Sequence, residues 1–473
     1  MRVFNPQLLH DLLRPGKMSK HLNMVLAIFG VFSALGYFLL LGLGDVRPRM
    51  DMFFVLYASL FSIYAVTSCF VLFAAKDTRA QTKLPFHLVQ IIAMAVLFRC
   101  VLLSGYPFLT DDIYRYLWDG RVWQAGINPY LYAPDSAALS VLRDTVIHPY
   151  INHPGIPTIY APMLQFLFRA VYIISPTFVG MKAAVSLFDL GSIAVLIALL
   201  DSLKMDKRLV VFYAWNPLAI IETAGSGHVD SYGVFWLLLF MLFFMRGNVI
   251  LAALALAASV LTKFIALIVL PFVVLRFGWR KSAHFALVFG IAVLAAYGPF
   301  LDAGRALFAA LSVYTTKWLF NASLFHIVHK IVVFVHPSDN LDANLMIAKK
   351  ILAMAFMGLS IWLFLRRKRI GYQANECGIL HEWFILFGAI CIISPTLHPW
   401  YLIWLLPMLV FFHNRAWILL SGLIILSYQV LVDYYQTGVW QESPATQLMI
   451  YVPFYLMLLF DHRNLHFFRK SKS

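Results

Sequence analysis

The chain has 473 residues, of which 62% are hydrophobic and only 12% are charged. Soluble domains carry about 25% charged residues, so this composition excludes an ordinary soluble protein and indicates a membrane protein with many spans. The formal charge of +15 comes largely from basic residues in short clusters beside apolar runs, a pattern typical of topology signals and lipid contacts. We therefore expect membrane lipids, and not a nucleic acid, as partners.

The apolar runs predict many membrane helices. The N-terminal segment is weakly amphipathic and basic and has no small-residue cleavage site, so we expect a retained first span. Runs long enough to cross the bilayer start near residues 22, 52, 86, 178, 231, 284, 346, 381 and 415. Shorter or broken runs cover 158–176, 209–225, 249–275, 399–412 and 446–460. The pattern predicts an all-α polytopic protein with about 10–13 membrane helices.

Clusters of Lys and Arg orient the spans, because cytoplasmic loops are enriched in these residues. The segments predicted inside are the N-terminus, 76–83, 276–281, 366–369, 413–415 and the C-terminal tail. The loops 106–157, 301–345, 394–401 and 433–445 then lie outside. Because 201–208 also has a cytoplasmic pattern, we expect 158–176 to lie in the interface or to re-enter. The run 249–275 is expected to be two half-helices with Lys263 at the outer turn.

The whole chain is predicted to form one domain. It divides into two N-terminal spans at 1–85, a catalytic module at 86–412 that contains the outer loop 106–157, and C-terminal spans with a basic cytoplasmic tail at 413–473. The four cysteines show no CxxC spacing and mostly lie in apolar runs. We therefore expect buried free thiols and neither a disulfide framework nor a metal-thiolate site.

A polar and aromatic island, YPFLTDDIYRYLWDGRVWQAGINPYLY at 106–132, interrupts the apolar pattern. Its glycine, asparagine and proline near residues 126–129 are incompatible with an uninterrupted membrane helix. Polar loops of this kind at a membrane boundary indicate an active site. Its charged candidates are Asp111, Asp112, Arg115, Asp119 and Arg121.

Further polar residues on the predicted outer side come from distant segments. An ionisable group at the centre of a membrane helix costs about 2.5–3.5 kcal/mol, so such groups usually pair or act chemically. The candidates are Glu222, His228 and Asp230 in ETAGSGHVDS, Lys263 in LTKF, Lys317 and Asn321 in TTKWLFNAS, and His398 and Tyr401 in SPTLHPWY.

Paired acids beside several cations suit the transfer of a sugar from a lipid phosphate. A carboxylate can take the proton of an acceptor hydroxyl as it attacks the anomeric carbon. Arg and Lys can neutralise the departing phosphate. No cofactor is required, although paired acids can also hold a divalent ion.

Each candidate also has a structural interpretation. Asp111 and Asp112 suit the cap of a helix that begins after Thr110. Arg115 and Arg121 suit contacts with lipid headgroups, and Lys263 suits either such a contact or a donor phosphate. His228 and Asp230 fit structural support, substrate contact or metal binding, and His398 fits a turn next to the site.

The chain resembles the glycosyltransferase C superfamily, in particular the polyprenol-phosphate-mannose-dependent alpha-1,6-mannosyltransferase-like enzymes of bacteria. The blocks that carry the resemblance are DDIYRYLWDGRVWQAGINPY, WNPLAIIETAGSGHVDSYGV at 215–234, LTKFIALIVLPF at 261–272 and SPTLHPWYLIWLLPML at 394–409. They occur in the family's order within residues 86–412. Val229 stands where the family's GHND-like motif usually has Asn.

The resemblance implies a multi-span enzyme in the bacterial inner membrane whose active site faces the periplasm. It implies a polyprenyl-phosphate sugar donor, with mannose as the first expectation, a glycan or lipid acceptor, and inversion at the anomeric carbon. The family's acidic motif falls on Asp111 and Asp112, one of which would be the base. Its GHND-like motif falls on Gly227, His228 and Asp230.

Two other functions compete with this hypothesis. A transporter or flippase of lipid-linked sugars would line a path through the membrane with charged residues, but transporters often contain internal repeats and we find none. A structural partner in an envelope assembly does not explain the charged groups. The lead hypothesis is therefore a hexosyltransferase.

Overall fold

A computed structural model describes residues 15–75, 84–337, 341–371 and 376–470 of the chain. The predictions for the N-terminal segment before residue 15 and for the basic 76–83 loop lie outside these residues. Of the basic C-terminal tail, the helical backbone is described as far as residue 470, and side chains only as far as residue 461.

The described residues are 81% helical. The helices of eight residues or more, in chain order, are α1 Pro15–Gly42, α2 Met50–Ala75, α3 Leu84–Leu103, α4 Asp112–Gln124, α5 Pro162–Ile174, α6 Phe178–Ser202, α7 Asp230–Met245, α8 Val249–Val260, α9 Val273–Tyr297, α10 Ala309–Lys317, α11 Leu324–Val335, α12 Leu341–Ile370, α13 Glu376–Ile393, α14 Arg415–Leu423, α15 Val430–Thr437 and α16 Pro444–Lys470. The segments between these α-helices include 3-10 helices at 264–272, 298–308, 399–404 and 424–429 and a π-helix at 221–225.

Eight helical segments of the described chain are long and apolar enough to cross a membrane. Six shorter apolar helices of 10–17 residues accompany them. Since the described residues form no named strand, the prediction of an all-α polytopic membrane protein is confirmed.

The predicted break in the run 249–275 is confirmed. Helix α8 ends at Val260, Lys263 has extended backbone angles of −154° and 127°, and a 3-10 segment begins at Phe264. The backbone N–H of Met163, at the start of α5, donates to the carbonyl of Leu261 at 3.1 Å. A carbonyl freed by the break is thus satisfied by a neighbouring element.

Helix α5 is too short to cross a bilayer by itself. Its 13 residues span about 20 Å at 1.5 Å per residue, against about 30 Å of hydrocarbon. It packs along α4, and the carbonyl of Phe168 lies against Gly120. Its length therefore agrees with the prediction that 158–176 does not cross.

A buried ion pair joins α3 to α6. Arg99 of α3 bonds Asp189 of α6, and both side chains are at most 1% exposed. Tyr213 also donates to Asp189, and Arg99 donates to the carbonyl of Ala214 at 2.9 Å. This network fixes the short turns at 211–220 that lead into the π-helix.

The prediction for the cysteines is only partly right. None of the four forms a disulfide within the described residues, but Cys69 of α2 and Cys100 of α3 are exposed, Cys377 is partly buried, and only Cys391 is buried. A thiol behaves as a small apolar group, so the outer face of a membrane helix accommodates it as readily as a core does.

The contact between α4 and α5 depends on a glycine. A Cβ at Gly120 would lie 2.5 Å from the carbonyl oxygen of Phe168, whereas nothing lies within 4 Å of one at Gly290 in α9. We expect Gly120→Ala to destabilise the protein by about 1–3 kcal/mol through overpacking, and Gly290→Ala to be neutral or slightly stabilising. Thermal unfolding of the purified variants measures both changes. Equal melting temperatures would contradict the predicted constraint.

Candidate active site

The two loop aspartates lie at the start of α4 but meet different partners. Asp111 is the N-cap residue, yet its side chain makes no capping hydrogen bond. It accepts a hydrogen bond from Arg47 at 3.1 Å, and Arg47 in turn binds Asp45 and lies over the ring of Tyr106. Burial raises the pKa of Asp111, although Arg47 acts in the opposite direction. Asp111 thus joins the outer loop to the turn between α1 and α2.

Asp112 is partly buried and has a polar partner in the 133–157 segment. Its carboxylate accepts a hydrogen bond from the amide of Asn152 at 2.5 Å, and no cation is paired with it among the described residues. It acts electrostatically on Tyr314, Tyr401 and Tyr428, which belong to distant parts of the chain. The charge of Asp112 is thus felt by residues from several segments, and its side-chain hydrogen bond is to Asn152.

Arg115 and Asp119 form a buried pair behind Asp112. The guanidinium of Arg115 donates to Asp119 at 2.9 Å, with side-chain exposures of 6% and 2%. Asp119 also accepts hydrogen bonds from Thr158 and, at 3.2 Å, from Gln165. This pair holds the loop before α5 against α4, which suits support of the site better than direct substrate contact.

Arg121 lies apart from the other candidates. It pairs with Asp144, donates to the carbonyl of Leu142 at 3.0 Å, and lies over the rings of Trp118 and Tyr172. It thus anchors the 133–157 segment to α4.

The segment before α7 places a buried Glu and His side by side. Glu222 lies in the π-helix, and Nδ1 of His228 lies 2.8 Å from its Oε2, at an angle outside hydrogen-bond geometry. Both side chains are fully buried, and Tyr428 donates to the other carboxylate oxygen at 2.9 Å. A π-helix at such a position is frequently associated with a functional site.

Asp230 and Lys263 form the ionic centre of the pocket. The ammonium of Lys263 donates to Oδ1 of Asp230 at 2.6 Å, and the indole of Trp404 donates to the same oxygen at 2.6 Å. Lys263 also lies 3.6 Å from the ring centroid of Tyr401, whose hydroxyl meets that of Tyr314 at 2.6 Å. The Lys263 side chain is 34% exposed, so it retains access to a ligand.

Stacked rings form one wall of the pocket. The ring of Trp400 lies 3.9 Å from His228 on one side and 4.2 Å from His398 on the other. Phe320 stacks on His398 at 4.6 Å. Burial, followed by Lys263 and His228, lowers the pKa of His398, so its imidazole is neutral near pH 7.

Contacts therefore bring together His228, Asp230, Lys263, His398 and Tyr401. The charge of Asp112 acts on Tyr401, whereas Arg115 and Asp119 pair with each other in α4. Lys317 is exposed at the end of α10, and no hydrogen bond or ion pair joins it to these side chains within the described chain. Its neighbour Trp318 contacts the ring of His153 at 4.8 Å.

Sequence reasoning did not select Arg47, Asn152 or His153. Arg47 and Asn152 are the direct partners of the two loop aspartates. His153 has a φ of 48°, which is uncommon for a residue with a side chain and often marks a functional site. Burial lowers its pKa. The turn signal HPG at 153–155 was the available clue to this segment.

Within the described residues, no group of three or more His, Cys, Asp and Glu side chains is arranged to hold a metal ion. The arrangement combines an uncompensated carboxylate, a partly exposed ammonium and aromatic walls. Such groups can accept a proton, neutralise a phosphate and pack against a sugar ring.

The all-helical membrane fold agrees with a membrane glycosyltransferase of the C superfamily, and the sequence match shows the family. The family described as "Alpha-(1->6)-mannopyranosyltransferase, N-terminal domain" matches residues 25–278, more than half of the chain. The chain belongs to this family, and the membership supports mannosyl transfer. No curated protein is similar enough to the chain to count as a match.

The low pKa of His398 gives a pH-dependent contribution to stability. Because its pKa in the folded protein lies below the ordinary value of about 6.5, acidification through that value favours the unfolded state. His398→Phe keeps the ring stack and removes the titration. We expect the melting temperature of the wild type, relative to this variant, to fall as the pH is lowered from about 7.5 to about 5.5. A difference that is constant over this range would refute the expectation.

Proposed function

We propose that the protein transfers a mannosyl unit from a polyprenyl-phosphate donor to a glycan or lipid acceptor, with inversion, on the periplasmic face of a bacterial inner membrane. One observation carries the proposal. Asp112, which lacks a cationic partner, and Lys263, which is partly exposed, both act on Tyr401 from different segments. A base and a phosphate-binding cation are thus available to one substrate.

Asp112 is the proposed base. Its carboxylate is held by the neutral amide of Asn152 and has no cationic partner in the described chain, so it is available to accept the proton of an acceptor hydroxyl. Asp111 is instead paired with Arg47, and its proposed role is to position the start of α4. Inversion follows if the deprotonated hydroxyl attacks the anomeric carbon on the face opposite the departing phosphate.

Lys263 is the proposed partner of that phosphate. An ammonium stabilises the negative charge that develops as the glycosidic bond breaks, and a partly desolvated site strengthens this effect. Asp230 and Trp404 hold Lys263 in place from the protein side. The broken helix supports this role because it brings a charged residue to a protein-lined pocket.

A narrow cavity of about 10 Å³ next to Phe264 is too small for a lipid chain, so the proposed place for the donor's polyprenyl tail is the membrane-facing surface around it. The cavity is lined by Phe264, Tyr130, Tyr297 and Phe308 together with aliphatic residues. The adjoining stretch from Phe264 to Lys317 is poorly covered, since only 11% of its most apolar window is buried. A polyprenyl tail entering from the membrane would meet this side of the protein first.

Substitution of the loop aspartates tests the proposal. We expect Asp112→Asn to lower kcat by about 10²–10⁴-fold, because a general base commonly contributes that much. The matched changes Asp111→Asn and Arg47→Gln should cost less than about tenfold, because a half-exposed ion pair stabilises by about 1 kcal/mol or less. The measurement is mannosyl transfer from polyprenyl phosphate mannose by purified protein.

Full activity of Asp112→Asn together with a severe loss in Asp111→Asn would transfer the role of base to Asp111. Full activity of both variants would exclude the proposed mechanism.

A second test addresses the donor phosphate. Lys263→Met should lower kcat/KM for the lipid donor about 10–100-fold, the equivalent of one charge-assisted hydrogen bond, whereas Lys263→Arg should retain more activity. Because the single change leaves Asp230 buried without a cation, the double variant Asp230→Asn/Lys263→Met controls for folding. Wild-type kcat/KM in a folded double variant would rule out the phosphate role.

The product of the reaction distinguishes the proposed enzyme from a transporter or flippase. A transporter moves a labelled lipid-linked sugar across a liposome bilayer without forming a glycosidic bond, whereas the proposed enzyme forms the bond in detergent solution. The gathering of the candidate side chains in one pocket favours the enzyme.

A further inference from the structure

A small polar cavity lies behind the ring wall of the active site, and we name it the Glu442 cavity. Its lining residues come from three places: the 320–321 segment, the 3-10 turn with the start of α15, and the start of α16. All of them except Phe320 and Val430 are polar. With a volume of about 10 Å³, it holds about one water molecule or one small ion.

Two oxygen atoms at this cavity lack hydrogen-bond partners. They are Oδ1 of Asn321 and Oγ of Ser427, on side chains that are 2% and 6% exposed. The amide nitrogen of Asn321 donates to the carbonyl of Leu397 at 3.2 Å, so the amide is held with its oxygen free. Buried oxygens without partners are costly unless a ligand satisfies them.

The carboxylate of Glu442 adds a negative charge to the same cavity. Its Oε2 accepts the backbone N–H of Asn321 at 2.7 Å and the amide of Gln447 at 2.9 Å. No Lys, Arg or His lines the cavity, and no ion pair involving Glu442 occurs in the described part of the chain. Burial raises the pKa of Glu442, as expected for a carboxylate without a compensating cation.

We propose that the Glu442 cavity binds a single hard cation of the calcium class through Glu442, Asn321 and Ser427. Calcium prefers carboxylate, amide and other oxygen ligands and tolerates irregular geometry, whereas magnesium requires a nearly ideal octahedron. The lining offers no nitrogen cation for a phosphate, which makes a lipid headgroup or free phosphate a poor occupant. With one carboxylate, binding is weak, in the range of about 10⁻⁴–10⁻³ M.

The cation would brace the active site from behind. Phe320 forms a short parallel bridge with Thr396, in which its N–H donates to the carbonyl of Pro395 at 3.1 Å and its carbonyl accepts the N–H of Leu397 at 2.8 Å. The ring of Phe320 stacks on His398. An ion that joins Asn321 to Glu442 therefore fixes the segment that carries His398, Trp400 and Tyr401, and this inference does not depend on the identity of the sugar substrate.

The test uses the purified full-length protein after treatment with EDTA. Adding calcium at about ten times its dissociation constant should raise the melting temperature by about 1–3 °C, whereas magnesium at equal ionic strength should have a smaller effect. Titration calorimetry should give about one calcium-binding site per chain that depends on Glu442.

Two variants make the result specific. Glu442→Gln keeps an acceptor for Asn321 and removes the charge, and Ser427→Ala removes an oxygen that makes no hydrogen bond within the protein. Both should fold without calcium and lose most of the calcium-induced shift. Asp201→Asn, at an exposed acid paired with Lys207, should retain the full shift.

A calcium-induced shift that is absent from the wild type, or equal in the wild type and both cavity variants, would overturn the proposal and leave the cavity to a water molecule. Because the readouts are melting temperature and calcium binding, neither outcome depends on mannosyl transfer.

Discussion

The pocket depends on how one buried carboxylate is compensated. Asp230 begins α7 at 4% exposure, and a charge at that depth is stable only with close partners. Lys263 reaches it because the chain breaks after α8, and Trp404 reaches it from the segment that follows the ring wall. One oxygen atom thereby joins three of the sequence blocks into a single site.

Helix α4 also joins separate segments of the chain, because its polar side chains bind different partners. Asp112 binds Asn152, Arg115 and Asp119 hold the loop before α5, and Arg121 binds the 133–157 segment. The close approach of α5 at Gly120 keeps these contacts in register. Several of the charged residues in this loop therefore stabilise the fold and do not contact a substrate.

The sequence predicted the features that depend on local composition. The apolar runs predicted the membrane helices. Lys263 predicted the break in its run, because a lysine inside an apolar run needs either a polar partner or access to water. It also singled out Glu222, His228, Asp230 and His398, which the pocket brings together. It did not reveal pairings between remote residues, such as Arg47 with Asp111, because a basic residue beside a span is equally typical of a topology signal.

The direction in which each side chain points could also not be predicted from the sequence. Arg121 and Lys317 have the residue type expected at a phosphate, but the helical position of Arg121 directs it to Asp144, and Lys317 lies exposed at the end of its helix. His153 was overlooked because its left-handed backbone is a property of the folded loop.

The helices are unevenly enclosed by protein. In the segment Arg415–Thr437, 56% of the most apolar window is buried, against 17% in Asp342–Ile370 and 11% in the segment that contains α9. Around α9, lipid acyl chains pack against the apolar surface that neighbouring helices cover elsewhere. A detergent of mismatched chain length would consequently loosen the segment from Phe264 to Lys317 before it disturbed the more enclosed segment Arg415–Thr437. Bilayer nanodiscs are therefore the appropriate setting for activity measurements.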